Sequence, residues 1–425
     1  MARPLVAGRA VSTQEMTDSS SIRALLTAAA VRERTQELLQ VGIEGGLDHF
    51  AVEIDRLPQC ADFVAEVVRE RHPTLGVPFH ARWRHFVVKH RDLWAERATA
   101  AAWKDALAKA RAAFDLAIVS VLLDAGAGPE WRYRDASTGI EIGRSEGLAL
   151  ASLRLFEAGL FSADPTDPLR ADAVRLATLT AGDLAAGLQA SPANPLLGLD
   201  GRVALLARLG EAVAANPAVF ATRDRPRPGG LFDHLRTAAN GRPLPAPRLL
   251  ESLLQHLAPI WTGRVSLQGV ALGDTWRHPA IKRDDATDKL VPLHKLSQWL
   301  AYSLIEPMQA AGLDVTDIDG LTGLAEYRNG GLFVDAGVIR LRDPREDGHP
   351  HSVDSFLIVE WRALTVALLD RIAPLVRDRL DVSAPDFPLT KMLEGGTWAA
   401  GRRLAYARRV DGSPPIQIVS DGTVF

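Results

Sequence analysis

Apolar residues recur three and four apart along most of the chain, the spacing of one helix face. SSIRALLTAAAVRERTQELLQVG reads as one amphipathic helix, opened by serine and stopped by glycine. ADFVAEVVRERHP repeats the pattern on a smaller scale. The longest run, residues 92–124, starts amphipathic and becomes almost wholly apolar, so its end should be buried. Further helices are expected near 148–159, 168–189, 201–215, 246–258, 292–311, 318–328 and 353–381. Alternation with a period of two is confined to short pieces. WRYRDASTGIEIG predicts a hairpin turning at Ser137-Thr138-Gly139, and RVSLQGVALGD a second. PPIQIVSDGTVF predicts a third, turning at Ser420-Asp421-Gly422.

These elements predict a mainly α fold, helical and two-lobed, with small β-hairpins. The Arg/Pro/Gly-rich ATRDRPRPGG, residues 221–230, is the natural boundary. It separates an N-terminal lobe, residues 21–220, from a C-terminal lobe, residues 221–425, with an active site expected between them. Residues 1–20 are expected to be a disordered extension, Met16 looking like a natural start before a serine-capped helix.

Composition narrows the chemistry. Apolar residues make up 47% and charged residues 24% of 425, an ordinary globular balance. The net charge of −3 comes without a block of like charge, so no nucleic-acid partner is expected. A single phosphate needs only a few donors and stays open. The one cysteine, Cys60, excludes an internal disulfide framework and a cysteine-built metal site. Its neighbourhood has no basic residue, which suits a packed thiol and a reducing cytosol. No apolar window reaches the roughly 18 residues of a membrane span, and the N-terminus lacks a signal-peptide core. The eleven histidines show no HExxH spacing, and no P-loop, GxGxxG or GxSxG occurs, so neither metal nor cofactor is implied.

Several segments carry candidate chemistry. In LVPLHKLSQWLAYSLIEPM, Leu293, Leu296, Leu300 and Leu304 form an apolar stripe, and Lys295, Gln298, Tyr302 and Glu306 another face. A solvated helix face has the same spacing. LTGLAEYRNGG follows, with Glu326, Tyr327 and Arg328 before Asn329-Gly330-Gly331. The glycines are expected to end a helix sharply, leaving Glu326 near its C-terminus, where the dipole raises a carboxyl pKa. LLDAGAGPEWRYRD places Asp124 at the end of the apolar helix, with Trp131 and Tyr133 as a stacking wall. A simple helix end with Asp124 bonding turn amides fits as well. VPFHARWRHF gathers His80, Arg82, Arg84 and His85 among aromatics, a cluster suited to phosphate.

Together VPFHARWRHF, SVLLDAGAGPEWRY, RSEGLALAS, NPLLGLDGR, LGDTWRH, PLHKLSQWLAYSLIEP and LTGLAEYRNGGL resemble the uracil-catabolism protein family of fungi and bacteria, long described only as a domain of unknown function. Ala81 departs from the serine of the family pattern, a small change. The resemblance implies a pyrimidine-degradation route in which uracil becomes a ribonucleotide, its ring is opened, and urea or an acylated urea is split from ribose phosphate. A fainter resemblance links HKLSQWLAYSLIEP, DIDGLTGLAEYRNGGLFVDAGVI and VEWRALTVAL to the queuosine salvage nucleotide N-glycosidases, which are related in fold to helix-hairpin-helix DNA glycosylases. It implies that Lys295 and Gln298 match the first site helix and that Arg328 matches the arginine of the central motif. Glu326 stands where that motif has aspartate, a longer carboxylate arm. Glu360 and Arg362 match the later helix.

The expected reaction is hydrolysis of the N-ribosyl bond of a phosphorylated ribosyl small molecule, ribosylurea 5-phosphate. Glu326, with Asp124 next and Asp274 third, would stabilise an oxocarbenium-like transition state or activate water. Lys295 would position the carboxylate or protonate the departing urea. Trp131, Tyr133 and Tyr327 would shape the pocket, and Arg82, Arg84 and His85 would bind phosphate. The rivals are an amidohydrolase acting on the opened ring and a non-catalytic helical scaffold or nucleic-acid binder.

Overall fold

A computed structural model describes residues 13–124, 126–221 and 225–419. The helices are α1 Thr13–Ala24, α2 Ala28–Ile43, α3 Leu57–Arg71, α4 Leu93–Ala100, α5 Ala106–Leu122, α6 Arg144–Glu157, α7 Ala173–Ala177, α8 Ala181–Gly187 and α9 Leu199–Ala215. They continue as α10 Pro217–Phe220, α11 Gly230–Ala239, α12 Ala246–Leu257, α13 Lys295–Ala310, α14 Tyr327–Asp335, α15 Phe356–Leu380, α16 Leu389–Met392 and α17 Trp398–Arg408. The expected mainly α class is therefore observed.

Local chemistry sets where the helices break. The long first pattern is two helices, not one. The Thr27 hydroxyl accepts the Ala30 N–H at 3.1 Å and donates to the Ala24 carbonyl at 2.7 Å, closing α1 and opening α2. Residues 13–20 belong to α1 rather than to a disordered extension, and residues 1–12 lie outside the described part. The run at 92–124 splits at Ala102, which adopts φ +49°, and restarts where the Asp105 carboxylate caps Leu107 at 2.9 Å. The run at 168–189 splits because Thr180 and Asp183 form a capping box at the start of α8.

Among the described residues the strands form short pairs. The hairpins Tyr133–Asp135 with Ile140–Ile142 and Ser266–Leu267 with Val270–Ala271 lie where alternation predicts them. The tail differs. Ile418–Val419 pairs in parallel with distant His351–Ser352, and the expected turn at residues 420–422 lies outside the described residues.

Helix α15 is the axis of the packing. From Leu357 to Leu369 every residue is buried, so no amphipathic stripe survives. Helices α2 and α3, from the first half of the chain, pack on it together with α14, while α13 packs on α5 and α12. The boundary expected near residue 220 is thus crossed by close contacts of both kinds. Among the described residues no helix is long and apolar enough to cross a membrane.

Candidate active site

Helix α13 starts at a lysine without a cap of its own: His294 is left-handed, at φ +46°, and its side chain makes no capping bond to the helix. Asp274 substitutes from the strand Thr275–Arg277 side. Its carbonyl accepts the N–H groups of Leu293 and His294, and its carboxylate accepts the Lys295 N–H at 2.9 Å. The same carboxylate binds Arg362 of α15 at 2.7 and 2.8 Å and the Trp276 indole at 2.6 Å. Burial opposes the charge, but Arg362 and these donors outweigh it and hold Asp274 well below the usual carboxylate range. Asp274 is fully engaged, so it fixes α13 rather than offering a free carboxylate. Glu360, two residues before Arg362 in α15, is likewise occupied by His278 and by the His49 N–H, each at 3.1 Å.

The middle of the polar face of α13 is buried. Gln298 Nε2 donates to the Thr322 hydroxyl at 2.7 Å, and the Tyr302 hydroxyl donates to the Thr322 carbonyl at 2.9 Å, all of them buried. These bonds hold residues 321–326 extended. The helix expected at 318–328 is therefore only a 3₁₀ turn, Ile318–Gly320, and the α-helix begins where that motif was expected to end. Glu326 is its N-cap, not its C-terminus. Its two carboxylate oxygens accept the N–H groups of Asn329 at 2.6 Å and Arg328 at 2.7 Å. Asn329, Gly330 and Gly331 lie inside the helix. A Cβ on Gly330 would come within 2.8 Å of the Trp361 indole, which is why the chain needs glycine there.

Glu326 is only 8% exposed. Burial raises its pKa, and the two N–H donors with Lys295 and His80 only partly offset that rise. The shift has the expected direction but the opposite origin, because the N-terminal dipole works against it. The Lys295 ammonium is pushed down by burial, against the charges of Asp124 and Glu326. It lies 5.9 Å from the centre of the Trp299 ring and is in no direct ion pair among the described residues.

Asp124 joins the same cluster from the end of α5. Arg82 Nη1 lies 3.1 Å from its carboxylate, and the Ser145 hydroxyl donates to it. Burial opposes the charge, but Arg82, His85, Ser145 and Lys295 together lower the Asp124 pKa. Arg202 holds the turn around it, donating to the carbonyls of Leu123 at 3.0 Å and Gly126 at 3.2 Å. The structure thus gathers Glu326, Lys295, Asp124, Arg82, His85 and Tyr327, drawn from four separate parts of the chain.

Other expected site residues stand elsewhere or are already engaged. Trp131 has no exposed surface and donates its indole N–H to the Leu188 carbonyl at 2.9 Å, packing beside Tyr133. That pair belongs to the core and not to a stacking wall. Arg82 is sealed and spends its charge on Asp124, while one Arg84 nitrogen bonds both Glu306 oxygens at 2.8 Å. The His85 pKa is pushed down to about 4 by burial and Arg82, leaving a neutral ring at pH 7. None of the three is therefore a free cation for a phosphate. Arg328 donates to the Gly412 carbonyl at 2.7 Å and lies over the Tyr327 ring, steadying the helix start.

Two further groups complete the cluster: His80, read from the sequence only as part of the VPFHARWRHF group, and Glu394, which sequence reading did not single out. His80 Nδ1 lies 2.7 Å from Glu394, which sits in the π-turn Leu393–Thr397 before α17. The π-turn, a frequent companion of functional sites, has no periodicity signal to betray it. Among the described residues no three His, Cys, Asp or Glu side chains gather as a metal site would require.

Over residues 24–425 the chain matches the model of a family described as protein of unknown function (DUF1688). It is 38% identical over 418 residues to Protein urg3 of Schizosaccharomyces pombe, covering 96% of this chain and 100% of that protein. It is 36% identical over 446 residues to Uracil catabolism protein 4 of Lachancea kluyveri, again covering 96% and 100%. With matches across nearly its whole length, the chain belongs to the DUF1688 family, the family of these uracil-catabolism relatives.

Proposed function

We propose that this protein acts in uracil catabolism as an N-ribosyl hydrolase, splitting ribosylurea 5-phosphate into urea and ribose 5-phosphate. The observation that carries the reading is the grouping of Glu326, Lys295 and Asp124, two carboxylates and an ammonium in no direct ion pair among the described residues. The name of the Lachancea relative supplies the metabolic setting.

Breaking the C1′–N bond leaves positive charge on the ribose ring and an electron pair on the departing nitrogen. Glu326, fixed at a helix start, is suited to stabilise the first, because a preorganised carboxylate costs no reorganisation. Lys295, whose proton burial loosens, is suited to protonate the second. Water adds to C1′ and becomes the anomeric hydroxyl. Asp124, charged and clamped by Arg82, is the second carboxylate and suits a ribose hydroxyl. Arg144, exposed in the first turn of α6 and within electrostatic reach of Tyr327, is a cation for the 5′-phosphate.

Incubation with synthetic ribosylurea 5-phosphate should release urea and ribose 5-phosphate, while uridine monophosphate should be left intact. Glu326→Gln should lower kcat by about 10³-fold, the scale of losing one preorganised electrostatic group, with an unchanged circular dichroism spectrum. Asp124→Asn should cost less. Absence of urea release by the wild type would refute the reaction.

A further inference from the structure

The ring of Trp299 is a meeting point. The Arg82 guanidinium lies 5.5 Å from its centre, Lys295 Nζ 5.9 Å, the His85 ring 5.8 Å and the His80 ring 6.3 Å. The first three have been accounted for: Arg82 pairs with Asp124, Lys295 serves the leaving nitrogen, and His85 is sealed and neutral. His80 has no role yet, although its orientation is fixed.

Its orientation is set from two sides. The backbone N–H is held by both the carbonyl and the hydroxyl of Thr390, each at 3.0 Å. The ring Nδ1 is held by Glu394 Oε2 at 2.7 Å. Glu394 is presented by the π-turn, and Gly395 and Gly396 let that turn close on Val77, Val64 and Val68, which a Cβ would approach within 3.0 Å. The remaining ring nitrogen, Nε2, makes no hydrogen bond among the described residues. Glu326 is within electrostatic reach of the ring. Around the pair stand Glu326 on the α14 side, Lys295 across Trp299, and Arg84, His85 and His72 near Glu394. An imidazole oriented through Nδ1–H by a carboxylate, with Nε2 free, is the arrangement of a general base.

We propose that His80, oriented by Glu394, is the general base that takes the proton from the attacking water. This rests on the N-ribosyl hydrolysis reading. The water oxygen bonds to C1′, and its proton passes to His80 Nε2. The C1′–N bond breaks with its electron pair going to nitrogen, which takes a proton from Lys295. After product release His80 returns its proton to solvent and Lys295 regains one. Glu326 then keeps its charge throughout as the stabiliser of the ribose cation.

The test uses the full chain with ribosylurea 5-phosphate and follows urea release across pH. His80→Ala should lose about 10²–10⁴-fold in kcat, the usual contribution of a positioned base, with KM little changed. It should also lose the acid limb of the kcat/KM profile and recover activity with added imidazole. Glu394→Gln should lower kcat less than either His80 variant, because it disturbs the ring's orientation and leaves the base in place. His80→Gln, which keeps an amide opposite Glu394, guards against misfolding and should match the alanine variant's loss. Retention of activity within threefold in either His80 variant overturns the proposal, as does a loss with the limb intact and no imidazole rescue. A wild type that releases no urea refutes the hydrolase reading itself and His80's role with it.

Discussion

A carboxylate at a helix N-terminus usually ionises readily, since the dipole and the free N–H groups favour the anion. At Glu326 burial wins and raises the pKa despite both N–H bonds. Asp274, as deeply buried, goes the other way because Arg362 faces it in a bidentate pair. Pairing decides which carboxylate keeps reactivity. Asp274→Ala should therefore act on stability, leaving Arg362 without its carboxylate partner and costing about 3–5 kcal/mol. A large drop in melting temperature is the expected result, and a melting temperature equal to wild type would exclude this structural role. At this scale the sequence names candidate residue types, and the fold brings several of them together. Lys295, Asp124 and Glu326 were legible as chemistry, whereas the occupancy of Asp274 and Glu360 was not, since their partners lie 88 and 82 positions away.

At the scale of elements, the glycines after Glu326 are instructive. A helix interior glycine costs about 1 kcal/mol relative to alanine, so a pair of them beside asparagine reads naturally as a stop. Here they are contact points, Gly330 against Trp361 of α15 and Gly331 against Pro415, and α17 presses on α14 in the same way at Gly401. A Cβ on Gly401 would meet the Arg328 carbonyl at 2.1 Å, a backbone atom that cannot swing away. Gly401→Ala should destabilise by at least the 1–3 kcal/mol or so of overpacking and disturb the start of the helix that Glu326 caps. The measurement is thermal unfolding together with kcat, and an unaltered pair of values would contradict the close packing. Helices with a cap in their own sequence, such as α2 at Thr27 and α8 at Thr180, were predictable in kind though not in break point. Helix α13, capped by Asp274 from another segment, was not predictable in that way.

Across the whole molecule, the two halves of the chain share one packing axis in α15. Arg32 of α2 donates to the carbonyls of Asp319 and Leu321 at 3.0 and 2.8 Å, so an N-terminal helix steadies the segment leading to Glu326. Acid should dissolve this arrangement. Asp274 and Asp135 are both held well below the usual carboxylate range in the folded chain, through Arg362 and Arg154 acting against burial. A depressed carboxylate contributes stability that is present above the unfolded pKa and lost as pH falls through the folded one. Stability should thus fall steeply below about pH 4, and denaturant titrations at successive pH values would show it. A flat profile there would contradict both pairs.

The sequence by itself determined the helical class, the two hairpins and, through shared motifs, the family, and it offered the residue types of the candidate site. Those are properties of local spacing and of strings of residues, and they survive without a fold. Only the tertiary structure decided that Glu326 opens a helix, that Trp131 and Tyr133 belong to the core, and that His80 and Glu394 join the cluster. Each of these depends on a partner far along the chain. Burial and pairing, which set whether a charged group is a strut or a reagent, exist only once those partners meet.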